Sequence, residues 1–223
     1  MDFLSELSVH NDRTWFAEHK EWYENSRKCF ETLGNQVIRG MAAFDGEVSY
    51  LQAKDCIFRI YRDTRFSADK TPYKTHYGMF VAVNGGRKSY RGGYYLHLEP
   101  GGNSMVSGGV WCPTPELLKA LRRSVYDEIE EFDAILHQDE FVHYYGGLWN
   151  MEALKKVPRG YPNDWPYADY LKQKHYMVKH MLTDEEVVAD DFLSVVLEGF
   201  RLLVPFNRFL NYTVDEILGY QQR

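Results

Sequence analysis

Between Phe58 and His76 the chain places Arg59, Arg62 and Arg65 at every third position, then Lys70 and Lys74, with Asp63 and Asp69 as the only acids. An arginine presents a planar fork of donors that matches the paired oxygens of a phosphate or carboxylate, and a lysine adds a mobile point charge. Thr64, Ser67, Thr71, Tyr73 and Thr75 supply neutral donors in the same stretch. Such a set suits a phosphoryl, sulfuryl or polycarboxylate group. We read Arg59, Arg62, Arg65, Lys70, Tyr73 and Lys74 as the frame of an anion-binding pocket, with Asp63 placed to fix the rotamer of a neighbouring arginine. The same residues also admit a bland reading, a structural ion-pair network completed by acids from elsewhere in the chain.

The charge distribution favours the first reading. The 223 residues carry a formal net charge of −6. Residues 54–91 hold nine Lys or Arg and three acids, a local balance of +6, which leaves 17 cations and 29 acids, or −12, for the remainder. A basic island in an acidic body points to an anionic ligand. The acidic total argues against a general affinity for nucleic acid, whose binders carry a basic face.

For acid–base chemistry beside a bound anion, Asp63 and His76 are the candidates within reach in sequence. Tyr95, His97 and Glu99 fall on one face of a strand. A His/Glu pair two residues apart offers two metal ligands, short of a site, so neither metal nor cofactor is expected. The chain has no HExxH, no CxxC, no nucleophile elbow and no Walker-type glycine loop. Gly85-Gly86 and Gly92-Gly93 read as strand turns rather than phosphate cradles.

These residues need a scaffold, and hydrophobic periodicity outlines one. Phe16, Tyr23, Phe30 and Val37 recur every seven residues, which predicts a helix over about Arg13–Met41, capped by Asn11 or Asp12 and open to interruption at Gly34. Residues 56–112 read as β-structure. A strand is expected over Cys56–Tyr61, with the cations on a loop between it and the next strand. Tyr77–Val83, Tyr94–Glu99 and Ser104–Trp111 follow, separated by Asn84-Gly85-Gly86 and Gly101-Gly102-Asn103 turns, with Gly108 and Gly109 allowing a bulge or close approach. Thr114-Pro115 opens a helix whose apolar positions run from Leu118 to Leu136. Residues 140–182 read as loop with one short helix, ending in a strand over Lys174–Leu182. Thr183-x-x-Glu186 is a capping box for a helix through Phe192, Val196 and Phe200, which Pro205 stops or kinks before a last helix to about Leu218. Strands clustered rather than alternated with helices predict an α+β fold, a mostly antiparallel sheet packed with long amphipathic helices, as a single domain over residues 1–223.

No apolar run reaches the roughly 20 residues of a membrane helix, and the N-terminus lacks the pattern of a secretory signal. Cys29, Cys56 and Cys112 are far apart and odd in number, which reads as reduced thiols in a cytoplasmic protein. Nothing in the sequence fixes an oligomeric state.

The basic stretch also resembles the signature of an uncharacterised family, domain-of-unknown-function family 2461, found mainly in bacteria and also in fungi. The resemblance starts at Phe3-Leu4, Asn11 and Trp15-Phe16. It is strongest across Phe58-Arg59-x-Tyr61-Arg62-Asp63-Thr64-Arg65-Phe66-Ser67-x-Asp69-Lys70-Thr71-Pro72-Tyr73-Lys74-Thr75. It continues through Gly93-Tyr94-Tyr95-x-His97, Gly108-Gly109-x-Trp111-x-Pro113 and Pro158-Arg159-Gly160-Tyr161, with His97 and Cys112 treated as variable. It implies membership of a family with no established activity. A family signature made of charged loop residues strengthens the ligand reading, because loop residues are seldom fixed by core packing. Pro158-Arg159-Gly160, preceded by Lys155 and Lys156, is a second basic turn, and Arg159 is expected either to approach the same pocket or to lie on a solvated surface. The expected function is binding of a small anionic molecule, with an enzymatic role open. The alternatives are a single-stranded nucleic-acid contact through the basic and aromatic face and an interaction module whose arginines meet an acidic partner protein.

Overall fold

The structure, a computed structural model, describes residues 1–220. A short helix, α1 (Asp2–Val9), buries Phe3, Leu4 and Leu7. The helix expected over Arg13–Met41 is two helices, α2 (Arg13–Glu18) and α3 (Lys20–Met41). They part at His19, whose Nδ1 binds the Trp15 carbonyl at 2.8 Å while its ring stacks on Trp15 at 4.2 Å. Asp12 is the cap of α2, accepting from Thr14 and Trp15 N–H at 2.8 and 3.0 Å. Gly34 does not interrupt α3. A Cβ there would meet the Met79 sulfur at 2.7 Å and Ala53 at 2.9 Å, so the glycine serves close packing.

The strand expected over Cys56–Tyr61 is absent. Ala53–Cys56 is a helical turn, α4, and residues 57–61 are extended with single bridges, Ile57 to Met79 and Tyr61 to Tyr73. The reason lies in the backbone bonds. Phe58 N–H donates to Gly78 at 2.9 Å, but Arg62 donates to Pro72 at 2.9 Å and Ile60 accepts from Lys74 at 2.8 Å. The segment therefore pairs with the returning arm of its own loop, and residues 62–72 form the tip of an irregular hairpin.

β1 (Tyr77–Val81), β2 (Gly93–Leu98), β3 (Ser104–Val110) and β4 (Tyr176–Leu182) make an antiparallel sheet in that order. Its inner face, with Met79, Val81, Leu96, Val106 and Val178 fully buried, packs on helices. On the outer face, Phe80, Tyr95, Ser107 and Lys179 stand in register across all four strands.

The apolar run from Leu118 to Leu136 divides at Glu128 into α5 (Pro115–Asp127) and α6 (Ile129–Leu136). Residues 140–182 hold more helix than expected, in α7 (Asp139–Tyr145) and α8 (Ala168–Leu171), before β4. The Thr183–Glu186 capping box forms, with N–H···O distances of 2.7 and 3.2 Å, but its helix α9 (Asp184–Val188) is one turn long. The chain then enters α10 (Phe192–Leu218), which Pro205 does not stop. A proline inside a helix costs about 3 kcal/mol. Here its neighbours Leu203, Val204, Phe206 and Leu210 are all buried, and their packing outweighs that cost. No helix among the described residues is long and apolar enough to cross a membrane.

Two glycines admit α10 and β4 to β3. A Cβ on Gly108 would run into the Leu203 side chain of α10. Gly109 has φ +117°, and a Cβ there would strike the Tyr176 carbonyl of β4. Gly109→Ala is expected to lower unfolding stability by about 3 kcal/mol or more in urea titration. Gly46→Ala, where nothing lies within 4 Å of the added methyl, should change it by less than about 1 kcal/mol.

Candidate functional site

Within the hairpin tip most cations are engaged by their own loop. The Arg62 guanidinium meets the Asp69 carboxylate and the Thr71 hydroxyl. Asp69 also accepts from Thr71 N–H at 2.9 Å, and this bond, joined by Arg62, holds its carboxyl down at about 2. Arg65 grips Asp63 through two nitrogens at 2.9 and 2.7 Å, with 76% of its side chain exposed. Lys70 Nζ donates to the Thr64 carbonyl at 2.8 Å. Phe66, at the tip, is almost wholly exposed.

Tyr73 is a structural anchor. Its ring stacks on Phe16 at 3.9 Å, and the Asn11 side chain clasps its backbone, accepting from its N–H at 3.1 Å and donating to its carbonyl at 3.0 Å. Among the described residues Arg159 makes no hydrogen bond or ion pair with the loop. Its turn precedes Tyr161, which packs on Tyr126 of α5 at 5.2 Å. Arg122 of α5 donates in turn to Gln173, just ahead of β4, at 2.7 Å.

Lys74 lies near both Arg59 and His76. Among the described residues neither Arg59 nor Lys74 has a carboxylate within ion-pair distance. Lys74 is half-buried, with Nζ 5.3 Å from the centre of the Phe58 ring. Burial, reinforced by the charge of Arg59, lowers its pKa. Burial likewise drives His76 down to about 4, with His97 and Lys74 adding to the effect. The imidazole is therefore neutral at physiological pH, with Lys74 nearby.

Behind it runs a polar chain along the outer face of the sheet. His97 lies 4.2 Å from His76, ring centre to ring centre. Its Nε2 is 3.0 Å from Glu99 and its Nδ1 is 2.9 Å from the Tyr95 hydroxyl. A carboxylate can only accept, so His97 Nε2–H donates to Glu99, while Nδ1 shares a hydrogen bond with the Tyr95 hydroxyl. Thr75 donates to the other Glu99 oxygen at 2.5 Å. Burial works to raise the Glu99 carboxyl, but the bonds from Thr75 and His97 outweigh it and keep it below the usual range. Burial, with the Glu99 charge, pushes the Tyr95 hydroxyl up to about 12.

Strand alternation placed Tyr95, His97 and Glu99 on one face, but it did not show that His76 joins them. With it, His76, His97 and Glu99 bring three ligand atoms within 4.8 Å of one another, so these are the residues that could hold a metal ion. Their chemistry fits a divalent cation poorly. The His97 and Glu99 atoms are already hydrogen-bonded to each other, and Lys74 brings a positive charge beside His76.

Sequence comparison places these residues in a wider set. The family described as Conserved hypothetical protein (DUF2461) matches residues 1–209. No curated protein and no solved structure matches the chain.

His76 offers a direct check. Because its ring protonates less readily in the native state than in the unfolded chain, its contribution to stability is full above about pH 6.5 and is lost as pH falls toward 4. An NMR titration should place the His76 midpoint near 4, and His76→Phe should flatten the fall of Tm between those values.

Proposed function

The chain belongs to the DUF2461 family of conserved hypothetical proteins, and from that premise we propose that it binds a small phosphate- or carboxylate-bearing anion at the β1 edge of the outer sheet face. The observation that carries this reading is the pairing pattern of the cations. Arg62 and Arg65 spend their charge on Asp69 and Asp63, which shape the hairpin. Arg59 and Lys74 lie near each other with no ion pair of their own among the described residues, so their mutual repulsion favours the arrival of an anion. Arg59 provides the fork and Lys74 the point charge. Neutral His76 provides a ring nitrogen that can donate to the anion or take a proton from a nucleophile beside it. The Tyr95–His97–Glu99 chain backs that ring and fixes its surroundings.

A second reading is favoured by one feature at the far edge, Lys179 Nζ lying 4.4 Å from the centre of the Trp149 ring. With Phe80 and Tyr95 in the same row, it would let a single nucleic-acid strand stack across the outer face.

Thermal-shift measurements with inorganic phosphate, pyrophosphate and citrate distinguish these. Anion binding should raise Tm, since the ligand selects the folded state. Arg59→Ala and Lys74→Ala should each weaken binding about tenfold or more while leaving the ligand-free Tm close to wild type. Arg65→Ala should retain binding. Unchanged affinity in both of the first two variants sinks the reading, and steeply salt-dependent retention on oligo(dT) would favour the second.

A further inference from the structure

A second site lies on the opposite, helix-bearing side of the sheet. A cleft of about 630 Å³ opens between the C-terminal half of α10, the turn after α3 at residues 45–50, and the connection from β1 to β2. α10 presents Asn207, Asn211 and Asp215 to it at steps of four residues, on one face of the helix. Asn211 clasps Gly92, accepting from its N–H at 2.7 Å and donating to its carbonyl at 2.9 Å. Asn207 donates to the Gly93 carbonyl at 3.2 Å. These bonds fix Arg91, whose guanidinium lies between Asp215 at 3.1 Å and Glu47 at 3.3 Å.

The floor of this cleft is under-satisfied. Asn207 Oδ1, Arg91 Nε and Asp215 Oδ1 are buried without a hydrogen-bond partner. The Arg91–Asp215 pair is close enough for charge attraction but misaligned for a hydrogen bond. Five such side-chain atoms occur among the described residues, and three of them are here. Burial raises the Asp215 carboxyl, and Glu47 adds to this against the opposing pull of Arg91. Folded proteins leave few buried polar groups unpaired, so a concentration of them in one hollow marks a place where water or a ligand can bond.

The partner's chemistry follows from the walls. Asp45, Glu47 and Asp215 outnumber Arg91 and Arg208, which disfavours an anion. The space between Asp215 and Glu47 is already filled by a guanidinium, which leaves no seat for a metal ion or an amine. Two of the orphaned atoms accept and one donates, and a hydroxyl group can serve both kinds. At the mouth stand Tyr50 and Tyr212, 63% and 65% exposed, with Tyr50 Oη held by Asn84 N–H at 3.2 Å. Exposed aromatic rings above a polar floor suit a molecule with apolar C–H faces and a belt of hydroxyls.

We propose that this cleft binds a neutral polyhydroxylated ligand of the carbohydrate class, with Asn207 Oδ1 and Asp215 Oδ1 accepting from neighbouring hydroxyls and Arg91 Nε donating to one of them. The site is independent of Arg59 and Lys74.

Saturation-transfer and amide-shift NMR on the full chain, with glucose, galactose, mannose, xylose, N-acetylglucosamine and myo-inositol as probes, tests this. At least one probe should give saturation transfer and shift the amides of Gly92, Gly93 and Asn211. Asp215→Asn and Tyr212→Ala should each weaken that binding about tenfold, and Arg59→Ala should leave it unchanged. Tyr212 is exposed, so its variant keeps the test valid should Asp215→Asn fail to fold. The proposal is overturned if no probe binds, which would leave ordered water as the occupant. It is equally overturned if binding survives Tyr212→Ala undiminished, or if phosphate or putrescine perturbs these amides and the sugars do not.

Discussion

Leu203 of α10 occupies the space that a side chain on Gly108 would need, and the arrangement of polar groups in this protein follows from that contact. It presses the long helix onto the middle of the sheet and commits one face to the apolar interior. Each buried aliphatic or aromatic side chain there contributes about 1.5–3 kcal/mol. Strand alternation then turns the other residue of every pair outward. Tyr94 goes in and Tyr95 out; Leu96 goes in and His97 out. The histidine–carboxylate chain owes its position to this pleat, and the cleft by Arg91 exists because the same helix runs past the sheet's corner with asparagines on its facing side.

The basic hairpin obeys a different rule. Its ion pairs are solvent-exposed, and such pairs contribute little to stability. What holds the hairpin is backbone pairing between residues 60–62 and 72–74, together with Tyr73 wedged against Phe16. Within the tip Asp63 and Asp69 pair with Arg65 and Arg62, Lys70 bonds a carbonyl, and Arg59 and Lys74 lie at the base of the hairpin. The most conspicuous arginines, Arg62 and Arg65, pair within the loop, and Lys74 lies beside His76.

Much of the fold was legible from residue pattern alone. The three sheet strands after residue 76, the turns at glycine pairs, the Thr114-Pro115 start and the strand before Thr183 all carry local signals that agree with the tertiary packing. The breaks at His19 and Glu128 do not, because neither position holds a proline or glycine. Pro205 misled in the opposite sense, since dense packing around α10 outweighs its local penalty. For the sites, alternation exposed Tyr95, His97 and Glu99, but the approach of His76 depends on the path of an irregular hairpin. The Arg91 cleft draws on segments more than a hundred residues apart. Its one local trace was Asn207, Asn211 and Asp215 recurring at steps of four inside a helix, a pattern as easily taken for a solvated stripe.

The side chain of Asn11 spans from the start of the chain to the middle of the basic hairpin, gripping both polar groups of the Tyr73 peptide unit. Mechanically it is a tether: the first helices are strapped to the returning arm that carries Lys74 one residue later. Whatever displaces the amino-terminal segment, whether a fused tag, a cleavage or a neighbour docking against α1, therefore tugs on the cations at the sheet edge without touching them.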